Sequence, residues 1–218
     1  MKAPLILASN NTGKAREVEA VLGKRGIRVR RIGEIVPDFD VLEDGETFAA
    51  NAEKKALAAF RAAGAAALAD DSGLCVASLD GAPGIRSARY GAPDLTDRQR
   101  AARLLEALRD AAPPRAAWFQ CALAAALPVS WLIDPDAWEP SPHLPGDHRL
   151  VTADGRLDGV IGFSLRGDQG FGYDPIFEPT GYEGATLAEI EPAEKNRISH
   201  RARALAAFFS LLAPLQDQ

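Results

Sequence analysis

From end to end, the 218-residue chain alternates between segments with strand patterns and segments with helix patterns. A short apolar run at 4–8 is followed by apolar residues at helical spacing from Ala15 onward. A second helical pattern begins near Thr47 and is followed by apolar runs at 65–69 and 74–79. This order favours an α/β fold with a central mixed sheet flanked by helices, in which a ligand binds at the strand ends.

Composition excludes several classes of protein. With 47% apolar and 25% charged residues, the chain suits one sizeable core, so we expect a single domain over residues 1–218 with room for two lobes. A net charge of −5 argues against a nucleic-acid partner, which needs a basic face. The apolar run at 4–8 is too short for a signal peptide or a membrane span. Cys75 and Cys121 lack the spacing of a zinc site, and we expect a cytoplasmic protein in a reducing compartment.

Three short patterns predict where regular elements end or begin. Asp70-Asp71-Ser72-Gly73 lies between two apolar runs and predicts a turn that joins two strands at a sheet edge. Asp154-Gly155 predicts a hairpin turn. Thr186 followed by Glu189 is a capping-box pattern, which predicts the start of a helix.

The segment 128–149 differs from the rest of the chain because it contains five prolines and two of the three tryptophans. Proline removes a backbone donor, so regular helix and central strand are both excluded there. We interpret the segment as a Pro-rich insertion that forms a surface loop anchored by its apolar residues. A lid or a partner surface is the alternative.

The polar loop Ser9-Asn10-Asn11-Thr12-Gly13-Lys14 follows the first predicted strand and precedes a predicted helix. Backbone N–H groups of such a loop and the helix N-terminus behind it favour an anion such as phosphate. The loop is not a Walker A motif, because Ala15 stands where that motif has Ser or Thr. Taken alone, it could equally be an ordinary strand-to-helix turn.

Asp70 and Asp71 place two carboxylates side by side, but neighbouring strand residues point to opposite faces. We therefore expect only one of them to face a ligand and choose Asp71, next to Ser72. A carboxylate there could hold Mg²⁺ or accept a proton from an attacking water. An ordinary turn is the alternative. Glu43 could supply a second metal ligand or could stabilise the N-terminus of the helix after it.

Two later segments have residues suited to a nucleotide. Phe171-Gly172-Tyr173-Asp174 combines an aromatic face, a flexible backbone and a carboxylate. Lys195-Asn196-Arg197-Ile198-Ser199-His200-Arg201 gathers three cations and an imidazole where a helix begins, which suits anions. A buried aromatic beside a turn and a solvated helix face are the respective alternatives. Together with the anion loop and the carboxylate, the two segments supply every part that one nucleoside triphosphate needs.

In combination, these blocks resemble the inosine triphosphate pyrophosphatase family. The resemblance is carried by Ser9–Lys14, Gly45–Phe48 with Asn51 and Lys55, Ala69–Leu74, Gly81–Tyr90, Gly170–Pro175 and Lys195–Arg201. It implies a two-lobed α/β fold with the nucleotide cleft between the lobes, a homodimer and a Mg²⁺ cofactor. It also implies hydrolysis of ITP, dITP and XTP to the monophosphate and pyrophosphate, which cleanses the nucleotide pool of non-canonical purines.

The resemblance further implies a role for each matching residue. Asp71 would accept the proton and, with Glu43, hold the metal; Glu43 is chosen because Leu42 stands where many members of the family carry a carboxylate. Substrate binding is implied for Ser9, Asn10, Asn11, Thr12, Gly13, Lys14, Lys55, Ser72, Phe171, Gly172, Tyr173, Asp174, Lys195, His200 and Arg201. A Maf-like pyrophosphatase for other modified nucleotides and a non-catalytic nucleotide sensor are the alternative functions.

Overall fold

The structure is a computed structural model, and it describes residues 4–9 and 11–213. Its strands are β1 (Leu5–Ala8), β2 (Val29–Arg31), β3 (Ala67–Val76), β4 (Ala116–Pro128), β5 (His148–Ile161) and β6 (Phe177–Pro179). Its α-helices are α1 (Thr12–Gly23), α2 (Phe48–Ala63), α3 (Asp97–Ala107), α4 (Pro192–Ile198) and α5 (His200–Phe209). No helix in the described part of the chain is long and apolar enough to cross a membrane.

The strands form one sheet in the order β2-β1-β3-β4-β5-β6. β1 pairs in parallel with both β2 and β3, with Leu5 opposite Val29 and Ile6 opposite Ala67. β5 and β6 pair antiparallel, with Val160 opposite Glu178. The sheet is therefore mixed, and the predicted α/β class is confirmed.

The chain divides into two compact units, and each of the long strands β3, β4 and β5 contributes residues to both. The first unit contains the described residues up to Asp71, then 121–155 and the chain from Ala202 onward. The second contains 72–120 and 156–201. That residues 1–218 form a single domain with an insertion stays a prediction.

Each unit has its own apolar core. In the first, leucines of β1, β3 and β4 pack with α1 and with Phe208 of α5, and a second cluster gathers the alanine face of α2. In the second, Leu104 of α3 and Leu108 just after it pack with Phe119 of β4 and Phe177 of β6. These cores hold the helices that carry the candidate site residues.

The predicted turn at Asp70–Gly73 is wrong, because these residues lie inside the continuous strand β3. The strand lies between β1 and β4, so the two acids are in the sheet interior rather than at its edge. Almost every residue of β3 is buried. Gly73 lies so close to its neighbours that a Cβ would meet the Oγ of Ser87 at 2.3 Å. This glycine marks a close backbone approach rather than a turn.

The predicted hairpin at Asp154-Gly155 is also wrong, because β5 runs unbroken through it. Val151, Ala153, Gly155 and Leu157 are buried and alternate with more exposed residues. This alternation with a period of two is the strand signal, and it outweighs a turn-forming dipeptide.

The capping-box pattern does not start a helix. The backbone N–H of Thr186 does donate to the Glu189 carboxylate, at 2.8 Å, yet α4 begins only at Pro192. The N–H of Leu187 donates to the carbonyl of Phe177 in β6, which holds the chain in an irregular path. Proline at the first helical position then starts α4.

Between β4 and β5, the proline-rich segment forms a loop with two short 3₁₀ turns, Val129–Trp131 and Pro135–Ala137. Trp131 and Trp138 pack against the core of the first unit, and the carbonyl of Trp131 accepts from the N–H of Ala213. The prediction of a loop anchored by apolar residues is confirmed for 129–147, whereas Pro128 ends β4 and residues 148–149 begin β5, so the exclusion of central strand is wrong at both ends of the segment.

Candidate active site

The first group of candidate residues surrounds the two aspartates of β3. The Lys14 ammonium lies 2.8 Å from Oδ1 of Asp70, and the Cys121 thiol donates to Oδ2 of Asp70 at 3.0 Å. Asp71 instead meets α2: its Oδ2 accepts from the Asn51 amide at 3.1 Å, and its Oδ1 lies 3.6 Å from the Lys55 ammonium. Both carboxylates are buried, and each is close to a lysine.

The polar loop after β1 leads directly into α1. Asn11 is the N-cap residue, and its side chain accepts from the N–H of Lys14 at 3.0 Å. Thr12 and Gly13 are the first residues of the helix, and Ser9 immediately follows β1. The predicted contact of Asn10 lies outside the described residues. The cap fixes the first helical turn and thereby the base of the Lys14 side chain.

Lys55 connects three acceptors. Its ammonium donates to Glu43 at 2.9 Å and to the backbone carbonyl of Asp70 at 2.7 Å, and it approaches Asp71. Burial alone would lower the pKa of the Lys55 ammonium, but the negative charges of Asp71, Glu43 and Asp70 outweigh it and raise the pKa above its usual value. The lysine therefore stays charged throughout the physiological range.

Asp71 has the opposite balance. Burial raises the pKa of the Asp71 carboxyl above its usual value, and this outweighs the opposing effects of Lys55, Lys14 and the Asn51 amide. A carboxylate with a raised pKa is a stronger proton acceptor than an exposed one. Asp71 is therefore suited to general-base chemistry.

Asn51 connects the two predicted metal ligands and was not among the predicted site residues. It is completely buried, its Oδ1 accepts from the N–H of Gly45 at 2.8 Å, and its amide donates to Asp71. The loop that carries Glu43 is thus held to the same side chain that orients Asp71. The sequence contained an indication that Asn51 belongs to the site, because Asn51 precedes Lys55 by one helical turn on α2 and so lies on the same side of that helix.

The donor chemistry here suits a hard cation. Within residues 4–9 and 11–213, no group of three or more His, Cys, Asp or Glu side chains is placed to hold a metal ion. Mg²⁺, however, is commonly bound by one or two carboxylates together with substrate phosphates and water. Asp71 and Glu43, which both approach the Lys55 ammonium, fit that smaller ligand set.

The second group of residues is centred on the loop 170–174. The Asp174 carboxylate accepts from the Lys195 ammonium at 2.6 Å and from the backbone N–H of Phe171 at 2.8 Å. The Lys195 ammonium also lies 4.6 Å from the centroid of the Phe171 ring. Gly170 has a φ of +79° and leaves no room for a Cβ, which would meet Asp174 at 2.1 Å.

The same loop has two further attachments. The Tyr173 hydroxyl donates to the carbonyl of Ser87 at 2.8 Å, and burial raises the pKa of this phenol, so it stays protonated as a donor. The N–H of Gly172 donates to the carboxylate of Asp97 at 2.7 Å. The loop is therefore fixed by the side chains of Asp97 and Lys195 and by the backbone carbonyl of Ser87.

The basic cluster occupies two helices rather than one helix start. Lys195 lies in α4, whereas His200 and Arg201 begin α5. The His200 ring stacks on Phe119 with centroids 4.8 Å apart and an interplanar angle of 10°. Arg201 is 1% exposed and donates to the Ser72 hydroxyl at 2.8 Å. A solvated helix face is excluded for Lys195, His200 and Arg201, because each is buried. Arg197 is exposed, so that alternative holds for it.

Sequence reasoning missed Asp97 and Phe119 as well as Asn51. Asp97 contacts a loop 75 residues away, and Phe119 belongs to a strand whose sequence pattern shows only that it is apolar. No local pattern points to either contact. Both depend on how distant segments meet within the second unit.

The mixed sheet flanked by helices places the chain in the α/β class, and buried lysine–carboxylate pairs mark its candidate site. Within that class, the chain belongs to the Ham1 family, whose model matches residues 5–211. A relative from Geobacillus kaustophilus named "dITP/XTP pyrophosphatase" is 41% identical over 203 residues, which cover 92% of this chain and 90% of the relative. A relative of the same name from Chromobacterium violaceum is 42% identical over 214 residues, covering 97% and 98% of the two chains.

A solved structure gives the same result for the fold. A HAM1 protein from Coxiella burnetii superimposes with a TM-score of 0.79 at 36% sequence identity. The match covers 96% of this chain and 98% of the Coxiella protein. The likeness therefore extends over nearly the whole chain.

Proposed function

We propose that this protein hydrolyses the non-canonical purine nucleoside triphosphates ITP, dITP and XTP to the monophosphate and pyrophosphate in a Mg²⁺-dependent reaction. The observation that carries the proposal is the buried Asp71 carboxylate, held by Asn51 beside the charged Lys55. The names of the relatives from Geobacillus kaustophilus and Chromobacterium violaceum, both dITP/XTP pyrophosphatases, support the substrate class.

In this proposal, the first group of residues binds the triphosphate. Lys14 and Lys55 supply positive charge, and the N-terminus of α1 supplies backbone N–H groups at the loop from Ser9 to Gly13. In the structure, both lysines contact carboxylates. Phosphate oxygens would become additional partners of the two ammonium groups. The positive charge that binds them is therefore already present at the site.

Asp71 acts as the proton acceptor. It takes a proton from a water whose oxygen attacks the α-phosphorus, and the bond from the α-phosphorus to the bridging oxygen breaks as pyrophosphate leaves with its electron pair. Mg²⁺, held by Asp71 and Glu43, would neutralise charge that develops on the phosphate oxygens. Asn51 keeps the Asp71 carboxylate in one orientation, so that little reorganisation accompanies the proton transfer.

The second group binds the nucleoside. Phe171 offers an aromatic face, Lys195 and Asp174 fix its loop, and His200 is oriented by stacking on Phe119. We assign base discrimination to Arg201, because a guanidinium donates hydrogen bonds but never accepts them. Hypoxanthine and xanthine present a carbonyl acceptor at position 6, whereas adenine presents an amino donor, so adenine would place two donors against each other.

We further propose that the protein acts as a homodimer in the cytoplasm. Cys75 and Cys121 are both buried, and neither forms a disulfide in the described part of the chain, which is compatible with a reducing compartment. Sedimentation equilibrium of the purified chain at micromolar concentration tests the dimer, and a monomer at that concentration would rule it out.

A product assay with Mg²⁺ tests the activity. The wild-type chain should convert dITP and XTP to monophosphate and pyrophosphate much faster than it converts dATP or dCTP. Asp71→Asn should lower turnover by about 10²-fold to 10⁴-fold, because it removes the proton acceptor but keeps the shape. Asp154→Asn, an exposed change on β5, is the control and should keep full turnover.

Three results would contradict the proposal. Orthophosphate and the nucleoside diphosphate as first products would place the attack at the terminal phosphorus. A preference for modified pyrimidines would favour a Maf-like pyrophosphatase, and nucleotide binding without turnover would favour a sensor. Normal turnover by Asp71→Asn would assign the proton transfer to another group.

A further inference from the structure

We propose that Asp97, at the start of α3, is a positioning residue that sets the orientation of the Phe171 ring and thereby the affinity for the purine base. The proposal rests on the function proposed above and assigns a role to a residue that no motif identified. It concerns contacts within the second unit only.

The contact is a single charge-assisted hydrogen bond to the backbone. Oδ2 of Asp97 accepts from the N–H of Gly172 at 2.7 Å. That N–H belongs to the peptide group between Phe171 and Gly172, so the bond fixes the plane of the peptide that directly follows the aromatic residue. A hydrogen bond with an ionised acceptor is about twice as strong as one between neutral groups.

The Asp97 side chain is exposed, but the helix start that carries it is held at several points. Leu104 of α3 and Leu108, which directly follows the helix, are buried in the core of the second unit. The Arg100 guanidinium binds the backbone carbonyls of Tyr90, Ala92 and Leu95. The start of the helix is therefore fixed both to the core and to the segment before it.

The carboxylate of Asp97 is not required as the cap of its own helix. Thr96 is the N-cap and forms a complete capping box with Gln99: the Thr96 hydroxyl accepts from the N–H of Gln99, and the Gln99 side chain accepts from the N–H of Thr96. Capping by a neighbouring residue leaves the Asp97 side chain available to hold the loop. Its contact with Gly172 therefore has no evident purpose within α3.

The conformation of the loop explains why an external tether is useful. Gly172 has a φ of +63° and Gly170 a φ of +79°, and glycine loses more conformational freedom on ordering than any other residue. Tyr173 and Asp174 are buried and anchored, whereas Phe171 and Gly172 are only partly buried. The N–H of Phe171 is held by Asp174, and the bond to Asp97 adds a restraint on the next peptide group, in the less buried half of the loop.

The inference predicts a separation of kinetic constants. Asp97→Ala should raise KM for dITP about 10-fold and change kcat less than 2-fold, because the loop 170–174, which is proposed to bind the base, loses order while Asp71 is unaffected. Asp97→Asn keeps an acceptor oxygen at the same place and should recover most of the affinity. Arg98→Ala, an exposed change at the next position of α3, is the matched control and should leave both constants unchanged.

Exchange of the Gly172 amide hydrogen, followed by NMR, tests the tether without any substrate. The amide should be protected in wild type and in Asp97→Asn, and it should exchange faster in Asp97→Ala. An unprotected Gly172 amide in wild type would show that the bond to Asp97 does not hold the loop. If Asp97→Ala and Asp97→Asn changed kcat and KM to the same extent, the positioning role would be overturned. A wild-type chain without turnover but with a protected amide would instead count against the proposed function alone.

Discussion

Replacing Lys195 with methionine removes one half of a buried ion pair while nearly conserving the side-chain volume. The Lys195 and Asp174 side chains are only 9% and 6% exposed, and the ammonium and carboxylate are 2.6 Å apart. Breaking a buried pair on one side typically costs about 3–5 kcal/mol, because the remaining charge stays in a poorly solvated place. Lys195→Met should therefore lower the free energy of unfolding by about that amount.

The melting temperature should fall accordingly. For a chain of this size, each kcal/mol shifts Tm by about 2–4 °C, so we expect a decrease of about 6–20 °C. Circular dichroism melting at neutral pH measures it. The matched control is Arg197→Met on the same helix, where Arg197 is 70% exposed and pairs with Glu194, and where Tm should hardly change because water screens an exposed pair.

A double variant separates the charge effect from other contacts of Lys195. Lys195→Met combined with Asp174→Asn removes both charges and keeps an acceptor for the N–H of Phe171. Its Tm should return close to that of wild type, while hydrolysis of dITP should stay low because Lys195 is proposed to bind substrate. The reasoning is refuted if Lys195→Met costs no more than Arg197→Met, or if the double variant is less stable than Lys195→Met alone.

Two further substitutions test individual residues. Arg201→Ala should lower kcat/KM for ITP by the equivalent of about 1.5–3 kcal/mol and affect ATP much less, as steady-state kinetics would show; equal losses for both nucleotides would instead assign Arg201 to the phosphates. Gly73→Ala should destabilise the protein by about 1–3 kcal/mol in urea denaturation, because a Cβ would meet the carbonyl oxygen of Gly84 at 2.5 Å. Gly146→Ala, where a Cβ meets nothing within 4 Å, is its control, and equal stabilities would contradict the close approach at Gly73.

Local patterns were sufficient where a few neighbouring residues determine the structure. The Thr47 cap begins α2 as predicted, and one helical turn places Asn51 and Lys55 on the same side of that helix, both against Asp71. The alternation of strands and helices likewise determined the α/β class. These features follow from the helical period and from backbone hydrogen bonding, which act over a few residues.

The same patterns failed where a turn signal competed with tertiary contacts. Asp70–Gly73 has the composition of a turn, but Lys14 and Lys55 supply partners for its carboxylates, so the segment can be buried as a central strand. A buried charge is tolerated only when such partners are present. The sequence does not show that they will be.

The sequence by itself determined the α/β class and the family, and it predicted most residues of the candidate site, because each motif is a short run with its own chemistry. Only the tertiary structure decided how the residues of the site are held. Asp97 accepts a hydrogen bond from Gly172, 75 positions away, the His200 ring stacks on Phe119, and Asp174 forms a buried ion pair with Lys195. Contacts of this kind join segments that are distant in the chain. Their geometry depends on packing of the whole unit, which no local pattern encodes.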